Sequence, residues 1–198
     1  MVETKPVEII IAGVDEVGRG CLFGPVFAGA VILDSSGTNF LVNQGLTDSK
    51  KLKKIERAKL DPLIKRNCIA WGLGQSSAKE IDEIGIREAT EIAMIRALQR
   101  LSRTIDLIIV DGILPIRNWD GPQQTLVKGD SKFASISAAS VIAKQSRDSL
   151  ITRLAKHFPE YGLEKHVGYG TASHIQAIKK SGPSSLHRKS FLSKILRD

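Results

Sequence analysis

Two short apolar runs, residues 8–14 and 105–110, each stop at an aspartate that glycine soon follows, Asp15 before Gly18 and Asp111 before Gly112. Runs of this length bounded by glycine read as strands, and the second is apolar almost throughout, the pattern of a strand covered on both faces. In open α/β sheets ligands gather in the crevice beyond the carboxyl ends of the strands. If the two runs are parallel neighbours, Asp15 and Asp111 meet in that crevice.

The rest of the chain supplies the other elements of such a sheet. Residues 26–33 and 67–75 read as further strands, with a weak strand signal at 126–127. Residues 54–65 suit a short amphipathic helix and 78–84 another. A longer helix over 86–101 places Thr90, Ala93, Met94, Ala97, Leu98 and Leu101 on one face. Residues 131–157 read as one long helix, rich at its start in small residues that let another backbone or a ligand approach. A glycine-rich turn (Gly162, Gly168, Gly170), a short helix over 172–180, a Gly182-Pro183 break and a basic helix over 189–196 follow, the look of an appended subdomain. The expected class is α/β, with the division falling between 1–158 and 159–198.

A chain of 198 residues can bury a core of its own. Its apolar stretches fall far short of the roughly 20 residues of a membrane span. The N-terminus lacks the apolar run of a secretory signal, so the cytoplasm is the expected location, without a membrane. Cys21 and Cys68 form no CxxC pair and have no neighbouring histidine, which argues for reduced thiols rather than a disulfide or zinc site. The net charge of +8 favours a polyanionic partner such as nucleic acid. A solvated basic face would give the same count, so position must decide.

Position favours a metal site. Asp130 follows Lys128-Gly129 and precedes the small-residue helix, so it can reach the same crevice from a loop. Crowded carboxylates repel, and a hard divalent cation such as Mg²⁺ or Mn²⁺, which prefers oxygen ligands and keeps waters for substrate phosphates to replace, resolves the repulsion. Each acid alone could cap a helix or sit in a turn; three at element ends in one basic chain favour the metal. Strand side chains alternate in direction, so Asp15 and Glu16 face one ion only if the strand ends before them or Glu16 contributes otherwise. Gly18 makes an early end credible. Gly18-Arg19-Gly20 offers unshielded backbone N–H groups and a guanidinium that can fork onto a phosphate, while a plain tight turn explains it equally well.

The words Gly13-Val14-Asp15-Glu16-Val17-Gly18-Arg19-Gly20, Asp48-Ser49-Lys50-Lys51-Leu52, Val110-Asp111-Gly112, Lys128-Gly129-Asp130 and Ser135-Ile136-Ser137-Ala138-Ala139-Ser140 occur in that order. Followed by Gly168-Tyr169-Gly170-Thr171 and His187-Arg188-Lys189-Ser190-Phe191, they resemble bacterial ribonuclease HII over nearly the whole chain. The resemblance implies a ribonuclease H-like mixed sheet flanked by helices with a small helical C-terminal extension. It implies catalytic, metal-holding carboxylates at Asp15, Glu16, Asp111 and Asp130, a two-ion Mg²⁺ or Mn²⁺ site, and a sensor of the ribose–deoxyribose junction built from Gly18, Arg19, Gly20 and Tyr169. Lys50, Lys51, Ser137, Lys144 and Arg188 are further candidates for substrate contact, and Asp148 is expected in a helix-surface ion pair. The implied enzyme, acting as a monomer, cuts the RNA strand of RNA/DNA hybrids and single ribonucleotides in duplex DNA, leaving 5′-phosphate and 3′-hydroxyl ends. Two rival readings are a nucleic-acid-binding module without catalysis and a phosphatase of small phosphoesters. Three residues depart from the family pattern: Cys21 and Gly170 replace prolines, and Val167 interrupts the tyrosine motif, which leaves open what stiffens the sensor.

Overall fold

The computed structural model describes residues 9–49, 51–193, 195 and 196, so Lys50 and the start of the first expected strand lie outside the described residues. In chain order the elements are β1 (Ile11–Val17), β2 (Val26–Ile32), α1 (Ser35–Asn43), α2 (Lys54–Asn67), β3 (Ala70–Ser76), α3 (Ala78–Ile84), α4 (Ile86–Gln99), β4 (Leu107–Asp111) and β5 (Gln123–Leu126). They continue with α5 (Ala134–Leu154), α6 (Leu163–His166), α7 (Ala172–Ser181) and α8 (Lys189–Leu192). Short 3-10 turns occupy Gly129–Ser131, Ala155–His157 and Pro159–Tyr161. Among the described residues no helix is long and apolar enough to cross a membrane.

The strands form one mixed sheet in the order β3-β2-β1-β4-β5. β1 runs antiparallel to β2 and parallel to β4, with Val14 opposite Val110. The two runs that end in aspartate are thus parallel neighbours. β1 does not stop before its acids, however: Asp15, Glu16 and Val17 pair with Gly29, Ala28 and Phe27 of β2. The partner strand carries the polar pair in extended form, so the early end credited to Gly18 is corrected to a strand that reaches Val17.

Each face of the sheet is covered by a helix. On one, Ala89, Ala93, Met94, Ala97 and Leu98 of α4 pack on Ala12, Val14, Ala28, Ala30, Ile108 and Val110. On the other, Ala138, Ala139, Val141 and Ile142 of α5 meet Val31. The small residues at the start of α5 allow an approach so close that a Cβ at Gly13 would strike the backbone at Ser135 and Ile136, and one at Gly29 the carbonyl of Ala139. Interiors packed this tightly give little when volume is added. α5 therefore sits at a fixed height over β1. It begins at Ala134 rather than 131 because Phe133 is extended and the preceding residues form the 3-10 turn that carries Asp130. α1, absent from the sequence reading, is a weak helix former held by the Asp34 cap, whose Oδ1 accepts the Gly37 N–H at 2.6 Å, and by burial of Leu41.

The C-terminal helices gather on Leu22, Phe23 and Ile151 through Tyr161, Leu163, Ile178 and Leu192. The basic helix expected over 189–196 ends at Leu192. Packed with Phe23 and Tyr161 lie three buried histidines, His166, His174 and His187. His187 Nδ1 accepts the Ser184 N–H at 3.0 Å, so its proton is on Nε2 and donates to His174 Nε2 at 3.1 Å. His174 in turn donates from Nδ1 to the Tyr169 carbonyl at 2.9 Å. With both rings neutral, every ring nitrogen of the pair is engaged.

Burial lowers the pKa of His174, and that of His187 to about 4, both below the ordinary 6.5. The unfolded chain therefore takes up these protons first, and their contribution to stability is intact above pH 6.5 and lost as the pH falls toward 4. Melting temperature measured across this window should fall more steeply for the wild type than for His187→Gln; parallel curves would contradict the network.

Candidate active site

The parallel pairing of β1 and β4 brings their ends together. Asp15 is buried on the α5 face, where it accepts the Glu16 N–H at 2.7 Å and a hydrogen bond from Ser140. Ser140 also bonds Ser49 at 2.7 Å, which ties the loop before α2 to the acid. Glu16 points to the opposite side by strand alternation. There it lines a cavity of about 230 Å³ with Arg19, Glu91 and Asp111. Glu16 also borders a cleft of about 490 Å³ on the other side, shared with Asp15, Arg19, Arg57, Lys144 and Tyr169. It thus stands on the ridge between the two, a placement that a fully extended strand permits.

Asp111 ends β4, and its Oδ1 accepts the Gly129 N–H at 2.7 Å. That bond joins it to the 3-10 turn of the buried Asp130, entered through Lys128 at φ 56°. Ser137 is buried and donates its hydroxyl to the Asp130 carbonyl, so it supports the acid turn from behind.

Burial, then the Glu16 charge and the Asp111 charge, push the Asp15 carboxyl well above its usual range. Glu16 is raised by burial and by Asp111, against the pull of Arg19 at 3.3 Å. Poorly solvated acids that repel one another gain most from an added cation. Among the described residues no three acid, histidine or cysteine side chains are gathered closely enough to hold an ion by themselves. The oxygen-only donor set opens onto clefts on both sides, which fits a Mg²⁺-like cation that keeps part of its water.

The loop beside the acids has Gly18 buried at φ 86°, Arg19 and Gly20 exposed. Tyr169, 38% exposed, stands across the cleft and bridges to Cys21. The Lys144 ammonium lies 5.4 Å from its ring centroid and 3.0 Å from Asp148. Asp148 also pairs with Arg57 at 3.6 Å and is buried rather than on the helix surface, because both cations fold over it. Lys51 is exposed at the mouth of the loop before α2, and Lys50 lies outside the described residues. Arg188 is placed differently from the expected substrate contact: it is fully buried behind the loop, donating to the carbonyls of Arg19 and Gly24 at 2.8 and 2.9 Å.

Four residues at the site were not singled out from the sequence: Ser49, Arg57, Ser140 and Arg147. On α5 a signal existed, since Ser137, Ser140, Lys144, Arg147 and Asp148 recur at steps of three and four and polar side chains at such spacing share a face. The departure at position 21 also finds a local explanation. Cys21 is buried, and its N–H donates to the Gly18 carbonyl at 3.3 Å, a bond that a proline could not make.

Residues 12–194 match the family model of Ribonuclease HII. Ribonuclease HII of Prochlorococcus marinus (strain MIT 9313) is 62% identical over 185 residues, covering 93% of this chain and 85% of that protein. Ribonuclease HII of Parasynechococcus marenigrum (strain WH8102) is 57% identical over 196 residues, 99% of this chain and 88% of that protein. The ribonuclease H2 of Pyrococcus horikoshii OT3 has a TM-score of 0.80 at 28% identity, covering 96% of this chain and 98% of that one. Bst-RNase HIII, at 20% identity and a TM-score of 0.75, covers 96% of this chain and 71% of that one and shares the fold. The mixed sheet with its flanking helices is thus the ribonuclease H-like fold, and the acids at the ends of β1 and β4 lie in a chain that belongs to the ribonuclease HII family, endonucleases acting on RNA paired with DNA.

Proposed function

We propose that this enzyme cuts both the RNA strand of RNA/DNA hybrids and single ribonucleotides within duplex DNA, by two-metal-ion phosphodiester hydrolysis that leaves 5′-phosphate and 3′-hydroxyl ends. The observation that carries the reading is the meeting of Asp15 and Asp111 on adjacent parallel strands beside the cleft between Arg19 and Tyr169. Asp15, Glu16, Asp111 and Asp130 hold the cations, Mg²⁺ or Mn²⁺. When bound, such ions activate the attacking water and stabilise the leaving oxygen.

The remaining work falls to the chain itself. Ser140 and the Glu16 N–H orient the Asp15 carboxylate, and the Gly129 N–H orients that of Asp111. Main-chain groups of Gly18 and Gly20, the Arg19 guanidinium and the Tyr169 ring read the 2′-hydroxyl at the junction. Lys51, with Lys50 by its place in the motif, and Lys144 meet substrate phosphates as cations. The extension over 159–198 contributes Tyr169 to a catalytic domain over 1–158.

A DNA duplex with one ribonucleotide should be cut at that position in Mg²⁺ or Mn²⁺, and the all-DNA duplex left whole. Asp111→Asn should lower cleavage about a hundredfold or more with folding retained; near-wild-type cleavage by this variant would overturn the assignment. Because the Asp15 carboxyl titrates higher in the folded chain than in the unfolded one, its charged form weakens the fold at neutral pH. Without divalent ions Asp15→Asn should therefore melt higher than the wild type, by about 2–5 °C, and lose the rise that Mn²⁺ gives the wild type. A lower melting temperature for the variant would count against the repulsion.

A further inference from the structure

Behind the Gly18–Gly20 loop lie two arginines, Arg147 of α5 and Arg188 just before α8, both with no exposed surface. Arg147 donates to the carbonyls of Pro25, Val167 and Phe23 at 3.0, 2.9 and 3.0 Å. Arg188 donates to those of Gly24 and Arg19 at 2.9 and 2.8 Å. All five bonds end on main-chain carbonyls, and four of those carbonyls belong to the segment from Arg19 to Pro25. A buried guanidinium is costly where a donor goes unused, as Arg188 Nη2 does, but its planar fork bridges carbonyls that a lysine ammonium cannot hold together. Burial lowers the Arg188 pKa only to about 10, so the charge persists at neutral pH.

The loop is shaped to receive these forks. A Cβ at Gly18 would overlap the Arg147 guanidinium, so the first glycine of the Gly-Arg-Gly word makes room for a brace as well as for a turn. The same segment is threaded between two C-terminal stretches, with Leu22 N–H to Gly168 O at 2.8 Å, Arg188 N–H to Leu22 O at 2.9 Å and Gly24 N–H to Leu186 O at 2.9 Å. Val167, whose carbonyl Arg147 holds, lies two residues before Tyr169. Arg147 therefore holds the segments that flank both halves of the proposed junction sensor, and Arg188 holds the carbonyl of Arg19 itself.

We propose that Arg147 and Arg188 are positioning residues for junction recognition: without touching substrate, they fix Arg19 opposite Tyr169 and so set the preference for a ribose–deoxyribose junction over a continuous hybrid. They stiffen the loop directly, through their bonds to its main-chain carbonyls. This rests on the reading above that Arg19 and Tyr169 sense the junction.

The test is the ratio of kcat/KM on a DNA duplex with one ribonucleotide to that on an uninterrupted RNA/DNA hybrid. It is measured for the full-length wild type, Arg147→Lys, Arg188→Lys, Arg19→Ala and the double variant Arg147→Lys/Arg19→Ala, at a temperature where circular dichroism shows each folded. Lysine keeps the charge but not the fork, so either lysine variant should lower the ratio roughly tenfold, the scale of a small misplacement. A merely structural loss would lower both activities alike and leave the ratio unchanged. The double variant should fall no further than Arg19→Ala, since residues acting through one another are not additive. An unchanged ratio in a folded lysine variant, or losses that multiply in the double variant, would overturn the inference. If Arg19→Ala leaves the ratio unchanged, or the wild type spares the single ribonucleotide, the junction reading fails and the inference with it. Should neither lysine variant fold, amide exchange of the wild type decides: Leu22 and Gly24 should be protected to the degree of α5, and exchange at the rate of a free loop would overturn the brace.

Discussion

Everything at this site depends on a repulsion that the fold creates. A parallel ladder that sets Val14 beside Val110 carries Asp15 and Asp111 together at its end, whatever the electrostatic cost. Hydrophobic packing of α4 and α5 on the sheet fixes that ladder, and the carboxylates cannot separate without breaking it. Burial and mutual repulsion push the Asp15 and Glu16 carboxyls above their ordinary range, and a divalent cation of the kind proposed would relieve that repulsion.

α5 links the acids to the cleft beside them. Its first turns lie on the sheet where Gly13 and Gly29 lack side chains, and this close seat holds Ser140 against Asp15 and Ser137 behind Asp130. One and two turns further along, Lys144 reaches the Tyr169 ring and Asp148 gathers Lys144 and Arg57. A single rigid element thus spans the acids, the cleft wall and the loop that carries Arg19. A shift of α5 would move all three together.

Much of this was legible in the sequence, for definite physical reasons. Apolar runs of strand length ending in aspartate gave β1 and β4, and the three-and-four spacing of Ala93, Met94, Ala97 and Leu98 gave α4, because burial leaves a periodic trace. The extension of β1 through Asp15 and Glu16 was not legible, since pairing with β2 and not local preference holds those residues extended. α1 was hidden for a similar reason: a segment with Gly37 and Asn39 is helical through its Asp34 cap and its packing. Glu16 came from family likeness, and its position on the ridge between two clefts came only from the folded chain. Arg147 and Arg57 were missed because an arginine in a helix looks like surface charge until its partners are known.

The most direct test of the central claim, that the paired strand ends form a cation site, is a crystal soaked in Mn²⁺ and measured at the manganese absorption edge. An anomalous peak within coordination distance of both Asp15 and Asp111, about 2.0–2.3 Å from their oxygens, is the predicted result. Manganese bound elsewhere on the chain, with these two carboxylates uncoordinated, would contradict it.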